Sequence, residues 1–158
     1  MTPHKMDMVQ EFMQVMQQDR PEKPCIDSLS IETRYLRKKL IDEEANELYV
    51  ATSNVEALDA IADLLYVVLG AAIACGFSKE QVDKAFDEVH RSNMTKLWTY
   101  TEVHGESGDF GGIENGCMAC RVGRNTTDKN RTFLVKNQYG KVLKSPSYSP
   151  ANLEPILK

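Results

Sequence analysis

An all-α fold is predicted for this chain, with a C-terminal extension that contains a short β-hairpin. Three observations predict it. Apolar residues recur at helical spacing through most of residues 1–100. Two of these stretches open with a capping pair, Ser53 with Glu56 and Ser78 with Gln81. The second and third stretches are joined by a short connection, Thr52 to Asn54, which makes their helices antiparallel neighbours in a bundle.

In the first stretch Met6, Val9, Phe12, Met13 and Met16 recur on one helical face behind Thr2-Pro3, where Pro3 suits the first helical position. Pro21-Glu22-Lys23-Pro24 then breaks the helix and reads as an extended linker. A second helix is predicted from about Ser30 to about Ala51, with Ile31, Leu36, Leu40, Ile41, Leu48 and Val50 on its apolar face. The third runs from the Ser53 cap to Gly76, a natural left-handed terminator. It is almost wholly apolar from Val55 to Ala74, and a helix hydrophobic on all sides is expected to be buried. The fourth carries Val82, Ala85, Phe86 and Val89 and is predicted to continue through Met94 and Leu97.

Beyond these helices the character changes. Gly105 to Asn130 is rich in Gly, Asn, Asp and Thr and reads as a loop. Thr132–Lys136, a turn at Asn137 to Gly140, and Lys141–Lys144 predict the hairpin. The last residues hold Pro146, Pro150 and Pro155 and read as an extended strap. The domain organisation expected is therefore a helical domain over 1–100, a loop-rich insertion over 101–131, and a hairpin and strap over 132–158 packing on the helical domain.

The 158 residues suffice for one domain with a real core, and 42% hydrophobic with 27% charged residues is ordinary globular composition. A net charge of −4 argues against a nucleic-acid-binding surface, which would be basic. The start has no apolar signal core, and the longest apolar run, Ile61 to Ala74, is interrupted by Asp63 and falls short of a bilayer. A cytoplasmic protein with neither nucleic-acid nor membrane partner is expected.

Against this background the acids stand out. Glu44 and Glu47 are three apart, and Asp59 and Asp63 are four apart, so each pair shares a helical face. Carboxylates on an apolar helix must be neutralised, hydrogen-bonded or bound to a cation. Two acid pairs on neighbouring helices form a hard-oxygen cage that suits Mg²⁺, with Mn²⁺ as a substitute. Glu43 can join this cage or stand behind it. The plainer alternatives are acids that solvate a helix surface, or a structural bridge from Asp59 or Asp63 to Arg37, Lys38 or Lys39.

Glu43-Glu44-Ala45-Asn46-Glu47 followed by Asp59-Ala60-Ile61-Ala62-Asp63 resembles the metal-binding signature of the MazG-like all-α nucleoside triphosphate pyrophosphohydrolases. Its usual pattern is Glu-Glu-x-x-Glu followed by Glu-x-x-Asp. Here Ala60 stands three residues before Asp63; the nearest acid is Asp59, on the same face, while Glu56-x-x-Asp59 keeps the literal spacing nearer the helix start. Asp63 to Gly70, Glu88 to Lys96 and Gly140 to Tyr148 are similar to a branch near phosphoribosyl-ATP pyrophosphohydrolase, which includes phage proteins. The resemblance covers roughly residues 5–98 and 132–157.

It implies a MazG-like antiparallel helix bundle with residues 1–100 as the catalytic domain, in a bacterial or phage-infected host cytosol. The activity implied is metal-dependent hydrolysis of a nucleoside triphosphate (dUTP, dGTP or another deoxynucleotide) to monophosphate and pyrophosphate. Glu44, Glu47, Asp59 and Asp63 would hold the metal, with Glu43, Glu44, Glu47 and Asp63 as the catalytic set. A homodimer or homotetramer is also implied, because the superfamily builds its sites at subunit interfaces. A triphosphate is densely anionic, so Arg91 and Lys96 are candidates for its outer phosphates, Asn93 for a phosphate or sugar oxygen, and Tyr66 or Trp98 for stacking on a base. A non-catalytic nucleotide-binding protein on the same fold is the alternative.

Cys117-Met118-Ala119-Cys120 is half of a zinc-ribbon pattern with no second pair after it. His104 or Cys25 can complete a structural Zn²⁺ site; otherwise these are free thiols.

Overall fold

The computed structural model describes residues 3–18, 20–105, 117–122 and 132–158. Among the described residues there are four long helices, a short fifth, and a small three-stranded antiparallel sheet in the C-terminal part. Most of the predicted loop, 106–116 and 123–131, lies outside the described residues. The chain divides into two compact units, residues 1–84 with Leu157, and residues 85–156 with Lys158.

In the first unit, α1 (Lys5–Val15) starts at His4. The ring of His4 accepts from the Met6 amide, so a histidine caps this helix and Pro3 precedes it. Met6, Val9 and Met13 form its buried face, and they pack with Ile73 and Ala74 at the end of α3. Charge adds to this packing. Lys79 bridges both carboxylate oxygens of Asp7 at 3.0 Å, and His4 meets Asp83.

The next two helices are α2 (Ile31–Val50) and α3 (Asn54–Ala74). Ser30 caps α2 by accepting from the Thr33 amide. Ser53 caps α3 by accepting from the Glu56 amide, while Glu56 reaches back to the Thr52 amide and hydroxyl at 2.7 and 2.9 Å. This is the predicted pairing displaced by one residue, since Glu56 serves Thr52 rather than Ser53. α3 ends in a Schellman arrangement: Gly76 N–H bonds to Ile73 and Phe77 N–H to Ala72. Gly76 has φ +79°, and a Cβ there would collide with the Lys23 carbonyl, so the linker and the helix end fit only around glycine.

The expectation that α3 is buried all round is not met. Only Ala60, Gly70, Ile73 and Ala74 are buried, while Val55, Leu58 and Leu65 are 79%, 68% and 61% exposed. α2 has no buried residue at all. The reason is coverage: α2 takes one side of α3 and α1 takes its last turns, and its other apolar side chains remain uncovered. By length and composition α3 is also long and apolar enough to cross a bilayer, because its acids are too few to offset its other residues. Counting only the uninterrupted run understated this.

α4 (Lys79–Met94) opens with the predicted reciprocal capping box between Ser78 and Gln81, at 3.0 and 3.2 Å. It stops at Met94 rather than Leu97, where the Thr95 hydroxyl takes the Ser92 carbonyl and turns the chain.

In the second unit, β1 (Trp98–Thr99) leads into α5 (Tyr100–His104), which Thr99 and Glu102 cap reciprocally. β3 (Thr132–Lys136) is the central strand between β1 and β2 (Met118–Val122). The predicted hairpin is present only as a bridge from Lys136 to Val142; the full partners of β3 are β1 and β2. Phe133 and Val135 point to one face and form a core with Trp98 and Val103. The strap lies along the end of α4: Ser145 donates to the Thr95 carbonyl, Ser92 to the Tyr148 hydroxyl, and the Ser149 amide to the Thr95 hydroxyl.

Gly76→Ala is expected to destabilise the protein by at least about 2 kcal/mol in urea denaturation, through left-handed strain together with the Lys23 collision.

Candidate metal centre

α2 and α3 bring the predicted acids to one seam. Gly70 of α3 lies against the Arg37 guanidinium of α2. Two turns later in α2, Glu44 falls within the electrostatic reach of Asp63 and Asp59, which come earlier in α3. That register is antiparallel, as the short connection requires.

Glu44 is half-buried, whereas Glu43, Glu47, Asp59 and Asp63 are exposed. The Glu44 carboxyl is held above the usual carboxylate range, first by burial and then by the charges of Glu47, Asp63, Glu43 and Asp59. All five predicted acids therefore share one neighbourhood with Glu44 at its centre. Glu56 is not among those that act on Glu44; its hydrogen bonds from Thr52 lower its pKa and commit it to the helix cap. Ala60, at the usual position of the missing acid, is buried.

No ion pair engages Glu44, Glu47, Asp59 or Asp63 among the described residues. Lys38 pairs with Asp42, and Arg37 donates to Gln18 at 3.0 Å. The alternative of a structural bridge from these bases is thus absent. Nor, among the described residues, do three acids, histidines or cysteines gather closely enough to hold an ion as they stand. The expectation of side chains withdrawn from water therefore holds only in part, for Glu44. Like charges separate when nothing positive lies between them. The donor set, all carboxylate oxygen, fits a hard divalent cation and poorly suits a soft one.

Arg37, considered from the sequence only as a bridge to Asp59 or Asp63, sits instead beside Gly70. It lies seven residues before Glu44 on the same face of α2, as Gly70 lies seven after Asp63 on α3. Its Nε is buried without a hydrogen-bond partner among the described residues, and burial lowers its pKa. The i to i+7 spacing was the available signal.

The other predicted residues are placed differently. Tyr66 sets its ring edge-on to Phe12, with centroids 5.7 Å apart. Trp98 is a core residue whose indole donates to the Leu143 carbonyl. Arg91, expected to meet phosphate, forks onto Glu88 at 2.7 and 2.9 Å and also holds Ser149 and the Pro150 carbonyl. Its guanidinium is committed to the strap. Asn93 is exposed and Lys96 half-buried, in the second unit with Arg91. β2 is extended, so Cys117 faces the core with Ala119 while Cys120 points the other way and is exposed. No group of three His, Cys, Asp or Glu that could hold an ion forms around them among the described residues. His104 stacks on Tyr100 in the same core.

The sequence profile of the phosphoribosyl-ATP pyrophosphohydrolase family matches residues 9–93, more than half of the chain. The chain belongs to the phosphoribosyl-ATP pyrophosphohydrolase family. Family membership makes it a nucleotide pyrophosphohydrolase of the MazG-like superfamily. The matched span includes α2, α3, nearly all of α4 and every acid of the seam. No curated protein matches the chain.

Because the Glu44 pKa is raised, its contribution to stability is present in acid and is lost as pH rises through the raised value. Glu44→Gln should therefore raise the metal-free Tm at neutral pH. Mg²⁺ should raise the wild-type Tm by more than that of the variant, in differential scanning fluorimetry. In α4, Arg91 and then the Asn152 amide pull Glu88 down to about 2. The stability from that pair is present above the ordinary carboxylate pKa and is lost as pH falls from there towards 2. Arg91→Ala should speed hydrogen exchange at the Asn152 amide, which Glu88 accepts at 2.8 Å.

Proposed function

We propose that this family member hydrolyses a nucleoside triphosphate, with dUTP, dGTP or another deoxynucleotide as candidates, to the monophosphate and pyrophosphate. Mg²⁺ is the proposed cofactor, with Mn²⁺ as a substitute, and the role is clearing or remodelling a cytoplasmic nucleotide pool. The observation that carries this reading is Glu44, half-buried at the α2–α3 seam with Glu43 and Glu47 of its own helix and Asp59 and Asp63 of α3 around it, raised in pKa first by burial and then by those charges, and paired with no base among the described residues. A fold gains nothing from such a cluster, whereas a polyphosphate reaction needs positive charge delivered to anionic oxygens.

Glu44 and Glu47 from α2, with Asp59 and Asp63 from α3, are the residues that would hold the metal. When bound, it would supply positive charge to the phosphate oxygens and lower the pKa of water. Glu43, exposed beside Glu44, would accept the proton of the attacking water. The water oxygen would bond to phosphorus as the bridge between the α- and β-phosphates breaks, leaving pyrophosphate.

The exposed apolar face of α2 and α3 supports the accompanying proposal of a homodimer or homotetramer. Leu36, Val55, Leu58, Leu65 and Val68 are all well exposed on these helices, and contiguous apolar area of this kind marks an interaction surface.

A panel of nucleoside triphosphates and phosphoribosyl-ATP, assayed with Mg²⁺ or Mn²⁺, should yield pyrophosphate. Glu44→Gln and Asp63→Asn should each lower the rate on the order of 100-fold or more. Turnover that survives both substitutions would remove the seam from the chemistry. Nucleotide binding without turnover would favour a regulatory protein, a reading to which the buried Ala60 lends weight. Sedimentation should show a dimer or tetramer that Leu58→Asp with Leu65→Asp dissociates; a wild-type monomer would overturn that part.

A further inference from the structure

Cys25 and Cys75 are free thiols on two segments of the first unit that touch. The connection between α1 and α2 lays itself against the end of α3. The Cys25 amide donates to the Cys75 carbonyl at 3.0 Å, and Cys25 Sγ lies 3.9 Å from the carbonyl oxygen of Ala74. One and four residues later in the connection its direction is fixed again. Arg34 donates to the carbonyls of Leu29 and Ile26, and the Lys23 carbonyl abuts Gly76 on the other side. A single backbone N–H···O bond keeps the two Cα atoms within roughly 6.5 Å of each other, inside the span of a disulfide. Cys75 also senses its neighbour: burial and then the charge of Cys25 push its thiol up, while Arg34 and Arg37 pull it down. No third acid, histidine or cysteine gathers with the pair among the described residues, so a metal site is not indicated.

We propose that Cys25 and Cys75 are a modification site, closing to a reversible intramolecular disulfide in the presence of a small-molecule disulfide oxidant such as oxidised glutathione. Cys25, on the connecting segment, attacks the glutathione disulfide as its thiolate and releases one glutathione. Cys75, at the end of α3, then attacks the Cys25 sulfur and releases the second glutathione. Two protein thiols are oxidised, one disulfide is reduced, and the two thiol protons end on the departing glutathiones. The ring so formed encloses all of α2 and α3, and with them every acid of the seam. The proposal does not depend on the substrate or metal assigned above.

The test uses the full chain carrying Cys117→Ser and Cys120→Ser, which retains only the two thiols in question. Incubation in oxidised glutathione should remove two hydrogens by intact-mass spectrometry. Peptide mapping should recover a Cys25–Cys75 cross-link that dithiothreitol reverses, and Tm should rise by roughly 5 °C or more, because the cross-link restricts the unfolded chain. Adding Cys25→Ser should abolish both effects. A stable glutathione adduct without the cross-link, a cross-link only between chains, or no oxidation under conditions that oxidise the denatured protein would each overturn the proposal.

Discussion

Glu44 is crowded by four carboxylates across two helices, and among the described residues no base relieves it. The α2–α3 register that produces this crowding also sets the arrangement around it. The short connection after Val50 forces the helices antiparallel, and the Thr52–Glu56 cap removes a sixth acid from the group. Gly70 leaves room for Arg37 at the opposite end of the seam, about 10 Å along α2 from Glu44. Like charge at one end and a half-desolvated cation at the other make the seam electrically uneven, which is unusual for a contact whose task is packing alone.

Apolar packing is concentrated elsewhere. The core of the first unit sits between α1 and the last turns of α3, away from the acids, so the acidic stretch is held by its caps and backbone more than by buried side chains. That division matters for function. A stretch with few buried contacts opens more readily than a core, and ligand-binding elements tend to come from such regions.

Much of this was legible in the sequence where a local rule decides the structure. Ser53, Ser78 and Gly76 marked helix ends because capping and left-handed termination depend on only a few neighbouring residues. The acids were found by spacing because the helical period fixes which residues share a face. What was not legible depended on distant partners. Trp98-Thr99 and Met118–Val122 become strands only because β3 offers them two edges, and neither segment is long enough to show alternation by itself. Arg91 looked like a free cation because its partners on the strap lie some 60 residues away in sequence. The apolar pattern of α3 announced that the helix needs covering, but a hydrophobic pattern carries no address for what does the covering.

The strap described at the end of α4 ties two kinds of order together. Glu88 and Arg91 belong to a helix, yet each completes its bonding on a segment that has almost no regular structure. Cutting the strap between Tyr148 and Asn152 would therefore do more than nick an irregular segment. It would strip the last turns of α4 of their outer hydrogen-bond partners, so that damage to the strap would be felt as fraying inside a helix.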